Sequence, residues 1–195
     1  ECEIINFRTQ RQKDLYKPLF RKGTRTKQII KKIFYLPYLR SIDKKHQLFE
    51  SFLANDLTLS PTEYNTLEEL KQASFHYDYY ISGSDQIWNT SCYDFDWAYF
   101  LPFIKSGRKI AYAPSMGPKA KIEVYEKYGD KIQELIAQYD FVSVREKGTA
   151  LRLKDFTSKD YPINLDPTLL LPVKEWDKII DVSPIIKEPY IFLYA

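Results

Sequence analysis

Short apolar runs and longer helical-period segments take turns along the second half of the chain. Tyr79-Tyr80-Ile81, Lys109-Ile110-Ala111-Tyr112-Ala113, Phe141-Val142-Ser143-Val144 and Tyr161-Pro162-Ile163-Asn164-Leu165 hold the residue types that fill covered strands. Each run stops at small or polar residues. Between them Ile122, Tyr125, Ile132, Leu135, Ile136 and Tyr139 mark a helix from Lys119 to Tyr139, with Gly129 its weak point. Lys147 to Leu153 begin another helix, and Trp176 anchors a short helical segment. Alternation of this kind predicts an α/β fold, a parallel sheet with helices on both faces. The strand ends at Gly83, Ser115, Arg145 and Asp166 should then share one edge, where open α/β sheets bind ligands.

The first half reads differently. Glu3 to Phe7 predict a first strand, and the basic stretch Arg8 to Arg25 has few apolar anchors. That stretch is expected to be a loop or mobile surface segment, with a solvated face favoured over attraction to membrane or phosphate. Ile29, Ile30, Ile33 and Phe34 recur at helical spacing, and Pro37 should end or kink that helix. Leu48, Phe49, Phe52 and Leu53 predict an amphipathic helix from Asp43 to Ala54, with His46 on the edge of its apolar face as a half-buried, hydrogen-bonded histidine. Thr66-Leu67-Glu68-Glu69 has capping-box spacing, so a short helix should cover Leu67 to Ala73.

Composition narrows the class. With 44% hydrophobic and 28% charged residues among 195, the chain is an ordinary globular one. A net charge of +3 is too weak to argue for nucleic acid. Cys2 and Cys92 have no ligand-like spacing, which points to reduced thiols in a cytoplasmic protein and to no metal site. No apolar run approaches the roughly 20 residues that span a bilayer, and no signal peptide is visible. Tyr93 to Phe103 is rich in aromatic and acidic residues. It reads either as the wall of a sugar site or, more readily, as core packing under a loop.

Four blocks resemble the polysaccharide pyruvyl transferases. They are Tyr79-Tyr80-Ile81-Ser82-Gly83-Ser84-Asp85-Gln86-Ile87-Trp88-Asn89, Lys109-Ile110-Ala111-Tyr112-Ala113-Pro114-Ser115-Met116-Gly117, Val142-Ser143-Val144-Arg145-Glu146, and Leu165-Asp166-Pro167-Thr168-Leu169-Leu170-Leu171. The first is fairly specific, and the other three gain their force from order and spacing. The resemblance implies two Rossmann-like domains facing across a cleft, as in GT-B glycosyltransferases. It implies transfer of the enolpyruvyl group of phosphoenolpyruvate to two hydroxyls of a sugar, giving a pyruvate ketal. The sugar would belong to a bacterial capsule, exopolysaccharide or cell-wall glycan precursor. Phosphoenolpyruvate is the donor substrate, and no cofactor is implied.

Two departures from the family pattern shape the expected boundaries. The family's opening strand, Gly/Asn-rich loop and helix are not found before Glu1, and its donor-side arginine-and-histidine motif is not found after Tyr190. Residues 1–182 are therefore read as the N-terminal, acceptor-side domain without its first βα unit. Residues 183–195 are read as a linker and the first strand of a C-terminal domain, and the chain alone is expected not to turn over. The implied partners are phosphoenolpyruvate and a glycan or lipid-linked acceptor. The implied location is the cytoplasm, with peripheral attachment to membrane glycan-synthesis machinery.

Ketal formation needs a proton for the methylene carbon, a base for the hydroxyls, and cations or N–H groups for carboxylate and phosphate. Asp85 is the base candidate, and Gly83, Ser84, Gln86, Trp88 and Asn89 would surround the acceptor. Asp85 can equally cap its own turn. Arg145 is the candidate anion clamp, or else an ion-pair partner of Asp85, Glu146 or Asp166. Ser115 and the Gly117 backbone are candidates for an anion at the start of the next helix. Asp166 is a substrate contact or a turn former before Pro167. Two other readings stay open: a GT-B enzyme using a nucleotide sugar, and a non-catalytic glycan-binding or assembly module.

Overall fold

A computed structural model describes residues 2–16, 35–117, 122–178, 186–191 and 193. Three strands, β1 (Tyr79–Ser82), β2 (Arg108–Ala111) and β3 (Phe141–Val142), pair in parallel in that order. Ser82 lies opposite Ala111, and Ala111 opposite Val142, so the three carboxyl ends finish in step. One further parallel bridge, Val144 to Ile163, sets the Tyr161–Leu165 segment beside β3. That segment is no longer strand, because its pairing is limited to Val144 bonding Pro162 and Asn164.

The helices enter as the pattern requires. Among the described residues, α1 (Gln10–Tyr16), α2 (Leu39–Asn55) and α3 (Leu67–Gln72) precede the sheet. α4 (Ile122–Ile136) crosses from β2 to β3, α5 (Lys147–Thr157) follows β3, and α6 (Val173–Trp176) closes the described order. α3 starts on the expected capping box: Thr66 accepts from Glu69 N at 3.2 Å, and Glu69 accepts from Asn65 N at 2.7 Å. Gly129 is where α4 and α5 approach, since an added Cβ would sit 3.2 Å from the Phe156 ring. Ile132, Leu135 and Ile136 of α4 and Leu153 of α5 then meet Tyr80, Trp88, Phe100 and Met116 in one core. Tyr80 and Ser82 are buried on that face of β1. Tyr79, Ile81 and Phe141 remain more than half exposed.

Several early expectations change. Within Arg8–Arg25, Gln10–Tyr16 is helical rather than loop, and residues 17–25 lie outside the described residues. Thr9 and Gln12 form a reciprocal cap, with Thr9 N donating to Gln12 Oε1 at 2.8 Å and Gln12 N to Thr9 Oγ1 at 3.3 Å. Glu3–Phe7 is not a strand but two parallel bridges, Ile4 to Leu59 and Phe7 to Tyr64. Pro61 has no N–H to offer between them, and Ser60 Oγ instead accepts from Asn6 N at 2.9 Å. α2 also begins earlier than expected, because the 3-10 turn Leu36–Tyr38, with Pro37 near its start, runs straight into it. His46 is half-buried as expected, but its Nδ1 finds no hydrogen-bond partner among the described residues.

The predicted helix around Ile29–Phe34 lies outside the described residues, as does most of the Val182–Glu188 linker. Of the predicted terminal strand, residues 189–191 and 193 are described and carry no strand pairing. No helix of the described residues is long and apolar enough to cross a membrane.

Candidate functional site

The chain leaves β1 through a backbone only glycine permits. Gly83 has φ +138°, and a Cβ there would fall 1.9 Å from the Tyr112 carbonyl oxygen. Asp85 follows in the left-handed region at φ +57°, which aspartate tolerates better than most residues. The loop is then fastened to the end of β2: Ser115 N donates to Asp85 O at 2.8 Å, and Trp88 N to Ser115 O at 3.3 Å. The exit from β3 is tied to the same place, where Arg145 N donates to Pro114 O at 3.3 Å. Backbone bonds therefore bring the three strand exits together before any side chain is counted.

On this frame the side chains of Ser84, Asp85, Arg145 and Asp166 meet. Arg145 donates to Asp166 Oδ2 at 3.1 Å and to Asp85 Oδ1 at 3.4 Å. Ser84 donates to the same Asp166 oxygen at 3.0 Å. The other Asp166 oxygen accepts from the backbone N–H and hydroxyl of Thr168, at 3.0 and 2.8 Å. The Thr168 bonds first, then Arg145 and Ser84, hold the Asp166 carboxyl well below the usual carboxylate range, against the opposing effect of burial. Asp166 is thus both the cap of the Pro167–Leu169 turn and a member of the charged cluster. Burial works against the Arg145 charge, but Asp166, Asp85 and Glu146 outweigh it and hold its pKa above the ordinary value.

The electrostatics are lopsided. One guanidinium faces Asp85, Asp166 and, at 3.6 Å from Nε, Glu146. Such an edge offers more acceptors than donors, which suits the hydroxyls of a neutral sugar. The Asp85 side chain is 82% exposed, while those of Arg145 and Asp166 are 27% and 24% exposed. Asp85 is the group most free to leave its partner. Among the described residues no set of His, Cys, Asp and Glu is disposed to hold a metal, and these three carboxylates surround a guanidinium.

The remaining candidates divide. Gln86 is exposed beside Asp85. Asn89 is buried, donating to Gln86 Oε1 at 3.0 Å and accepting from Ser91 N at 3.1 Å. Trp88 is a correction: its indole is fully buried and stacks on Phe100 at 4.8 Å, so it supports the loop from the core and offers no face to a sugar. Ser115 and Gly117 are also corrected. Ser115 is 1% exposed, donates to Glu146 Oε1 at 2.8 Å and accepts from Gly117 N at 2.9 Å. Gly117 is packed under the Asn89 and Gln86 amides, 2.5 and 2.7 Å from where a Cβ would stand. Residues 118–121, the expected helix start that an anion there would also need, lie outside the described residues.

From the sequence Glu146 is expected only as an ion-pair partner of Arg145, and Tyr112 has no expected role. Glu146 accepts from Ser115 and from Thr149, and the Thr149 hydroxyl in turn accepts from Met116 N at 3.0 Å. The Glu146-x-x-Thr149 spacing at the start of α5 is the signal that marks it. The Tyr112 hydroxyl donates to the Leu165 carbonyl at 3.1 Å, fixing the backbone just before Asp166. The aromatic stretch packs on the core except at the exposed Tyr93: Phe100 is buried, half-buried Trp97 meets Phe95, Phe100 and Tyr128, and Asp96 caps Ala98 N at 2.9 Å. A shallow groove lined by Phe75, His76, Tyr80 and Lys105 sits at the amino-terminal end of β1 and β2, away from the strand exits where open sheets hold ligands.

Comparison with known proteins gives one family match. The family described as polysaccharide pyruvyl transferase matches residues 2–195. No curated protein and no solved structure matches the chain.

Proposed function

The chain belongs to the polysaccharide pyruvyl transferase family, and on that premise we propose that it works in pyruvyl transfer from phosphoenolpyruvate to a glycan precursor. The observation that carries the reading is the meeting of Ser84, Asp85, Arg145 and Asp166 from three separate chain exits at one sheet edge. In this reading the edge receives the acceptor sugar. The exposed Asp85 carboxylate takes the proton of an attacking hydroxyl, while the methylene carbon of the enol phosphate gains a proton and its neighbouring carbon becomes the electrophile. The first C–O bond forms there, phosphate leaves with the bonding electron pair, and a second hydroxyl closes the ketal and gives up its proton.

Arg145 then has two tasks. Through Asp166 it is anchored to the Pro167 turn, and its longer, exposed bond to Asp85 is the one easily surrendered. Exchange of Asp85 for the donor's carboxylate or phosphate frees the base and binds the anion in one movement. Gly83 and Gln86 line the same edge, and Asn89 holds Gln86 in place. The acceptor would be a sugar of a capsule, exopolysaccharide or cell-wall precursor, free or lipid-linked, modified in the cytoplasm.

The experiment is a product assay on the full-length protein with a glycan acceptor. Inorganic phosphate released from phosphoenolpyruvate, in step with ketal formed, is the expected result. Release of nucleotide from a nucleotide sugar, with phosphoenolpyruvate untouched, would assign a glycosyltransferase instead. Binding of the glycan with neither product would leave a binding module.

A further inference from the structure

Glu146 is the third carboxylate of the sheet edge and the one the reaction leaves without a task. It stands at the N-cap of α5, a place that favours Ser, Thr, Asp or Asn, and its side chain bonds no N–H of that helix. Instead one oxygen, Oε1, accepts from the Ser115 hydroxyl at 2.8 Å and from the Thr149 hydroxyl. The other, Oε2, lies 3.6 Å from Arg145 Nε, an ion pair too long to be a hydrogen bond.

The two hydroxyls leave the carboxylate little freedom. Ser115 is 1% and Thr149 0% exposed, and each already accepts from a backbone N–H, of Gly117 at 2.9 Å and of Met116 at 3.0 Å. A hydroxyl has a single hydrogen to place, and here Glu146 Oε1 takes both. A buried donor without an acceptor is costly, so this oxygen stays where it is. The second oxygen is thereby turned toward Arg145. The guanidinium it faces is a planar fork with its donors at fixed angles. Asp166 holds Nη1 at 3.1 Å, while Asp85 takes Nη1 and Nη2 at 3.4 and 3.5 Å. Once Asp85 gives way to the donor, Asp166 and Glu146 are the two of the three carboxylates left on the fork. Asp166 alone is a point about which the plane can turn. A second charge against Nε sets the direction in which Nη2 points.

We infer that Glu146 is a positioning residue for Arg145: pinned by Ser115 and Thr149, it fixes the guanidinium plane so that the freed nitrogens meet the donor's anion. The inference rests on the reading of Arg145 as the donor's clamp. It ties that clamp to the turn after β2, and Ser115, buried beneath the edge, serves the site through this link.

The test is steady-state phosphate release from phosphoenolpyruvate by the full-length protein, in Glu146→Gln, in Glu146→Asp, and in each combined with Arg145→Ala. In Glu146→Gln the amide oxygen must stay with the two hydroxyl hydrogens, which turns the NH2 group onto Arg145 Nε–H, donor against donor. In Glu146→Asp the charge is kept and the N-cap is favoured, but the side chain is one methylene too short to serve both sides. Each is expected to lower kcat about 10-fold, the cost of a misdirected group at the reacting centre. The KM for phosphoenolpyruvate should not rise in Glu146→Gln, because a negative charge beside the anion's place has gone. With Arg145→Ala in place, either change should alter kcat less than about 2-fold. A parental kcat in both variants would overturn the inference. So would a 10-fold loss that persists in the Arg145→Ala background, the result expected of a residue that only holds the fold. Arg145→Ala releasing phosphate at the parental rate would overturn the clamp reading itself, and the inference with it.

Discussion

Asp166 shows how much one side chain is asked to do. It accepts from Thr168 twice, from Ser84 and from Arg145, and these bonds lower its pKa in the folded state. A depressed carboxyl stabilises the fold above its unfolded value of about 3.9 and loses that contribution as pH falls through and below it. Asp166→Asn should therefore be less stable than the parent near pH 7, with the gap closing below about pH 4. Denaturant midpoints across that range check this, and a constant gap would assign the loss to the turn alone. Trp88 makes the opposite point. Its place in a polar, ligand-facing block gave no sign that it is fully buried, because an aromatic in a loop has no period to reveal its side. Trp88→Ala should cost about 3–5 kcal/mol in unfolding free energy, whereas a sugar-stacking residue at the surface would cost little.

At the scale of elements, the strands and capped helices were legible because their signals are local. β1 and β2 are found where the β-branched and aromatic runs end in small residues, and α3 starts on its Thr66 box. α1 carries the same device at Thr9 and Gln12, hidden in a run of basic residues that reads as surface. Glu3–Phe7 fails as a strand for a non-local reason: its partner segment contains Pro61 and bulges between the two bridges. The Gly83 exit is the element on which the site hangs. Gly83→Ala should cost at least about 2–3 kcal/mol, from a left-handed backbone and a collision with Tyr112 O. A variant as stable as the parent, by thermal melting, would mean that the loop is free to move off β2. Thr66→Ala, which removes only a cap, should lose about 1 kcal/mol by the same measurement.

For the whole molecule, convergence was the most informative expectation. Three strand ends and the end of the Tyr161–Leu165 segment, separated by up to 82 residues in the Ser84–Asp166 bond, come to one edge because the strands are parallel and in step and that segment is bridged in parallel beside β3. The sequence could not show which ends stay open. Ser115 and Gly117 close upon Glu146, Asn89 and Gln86, while Asp85, Arg145 and Asp166 keep a polar surface. Burial of that kind is set by neighbours distant in the chain, and spacing carries no record of it. The resulting edge has one cation among three carboxylates, and from that balance comes the reading of an acceptor site in which Arg145 trades Asp85 for the donor.

The rate of phosphate release from phosphoenolpyruvate by full-length Arg145→Ala, compared with the parent at saturating acceptor, tests that reading most directly. A fall of about 100-fold or more, with a melting temperature close to the parent's, is the result the account predicts. Phosphate release at near the parental rate would contradict it and remove this edge from the reaction.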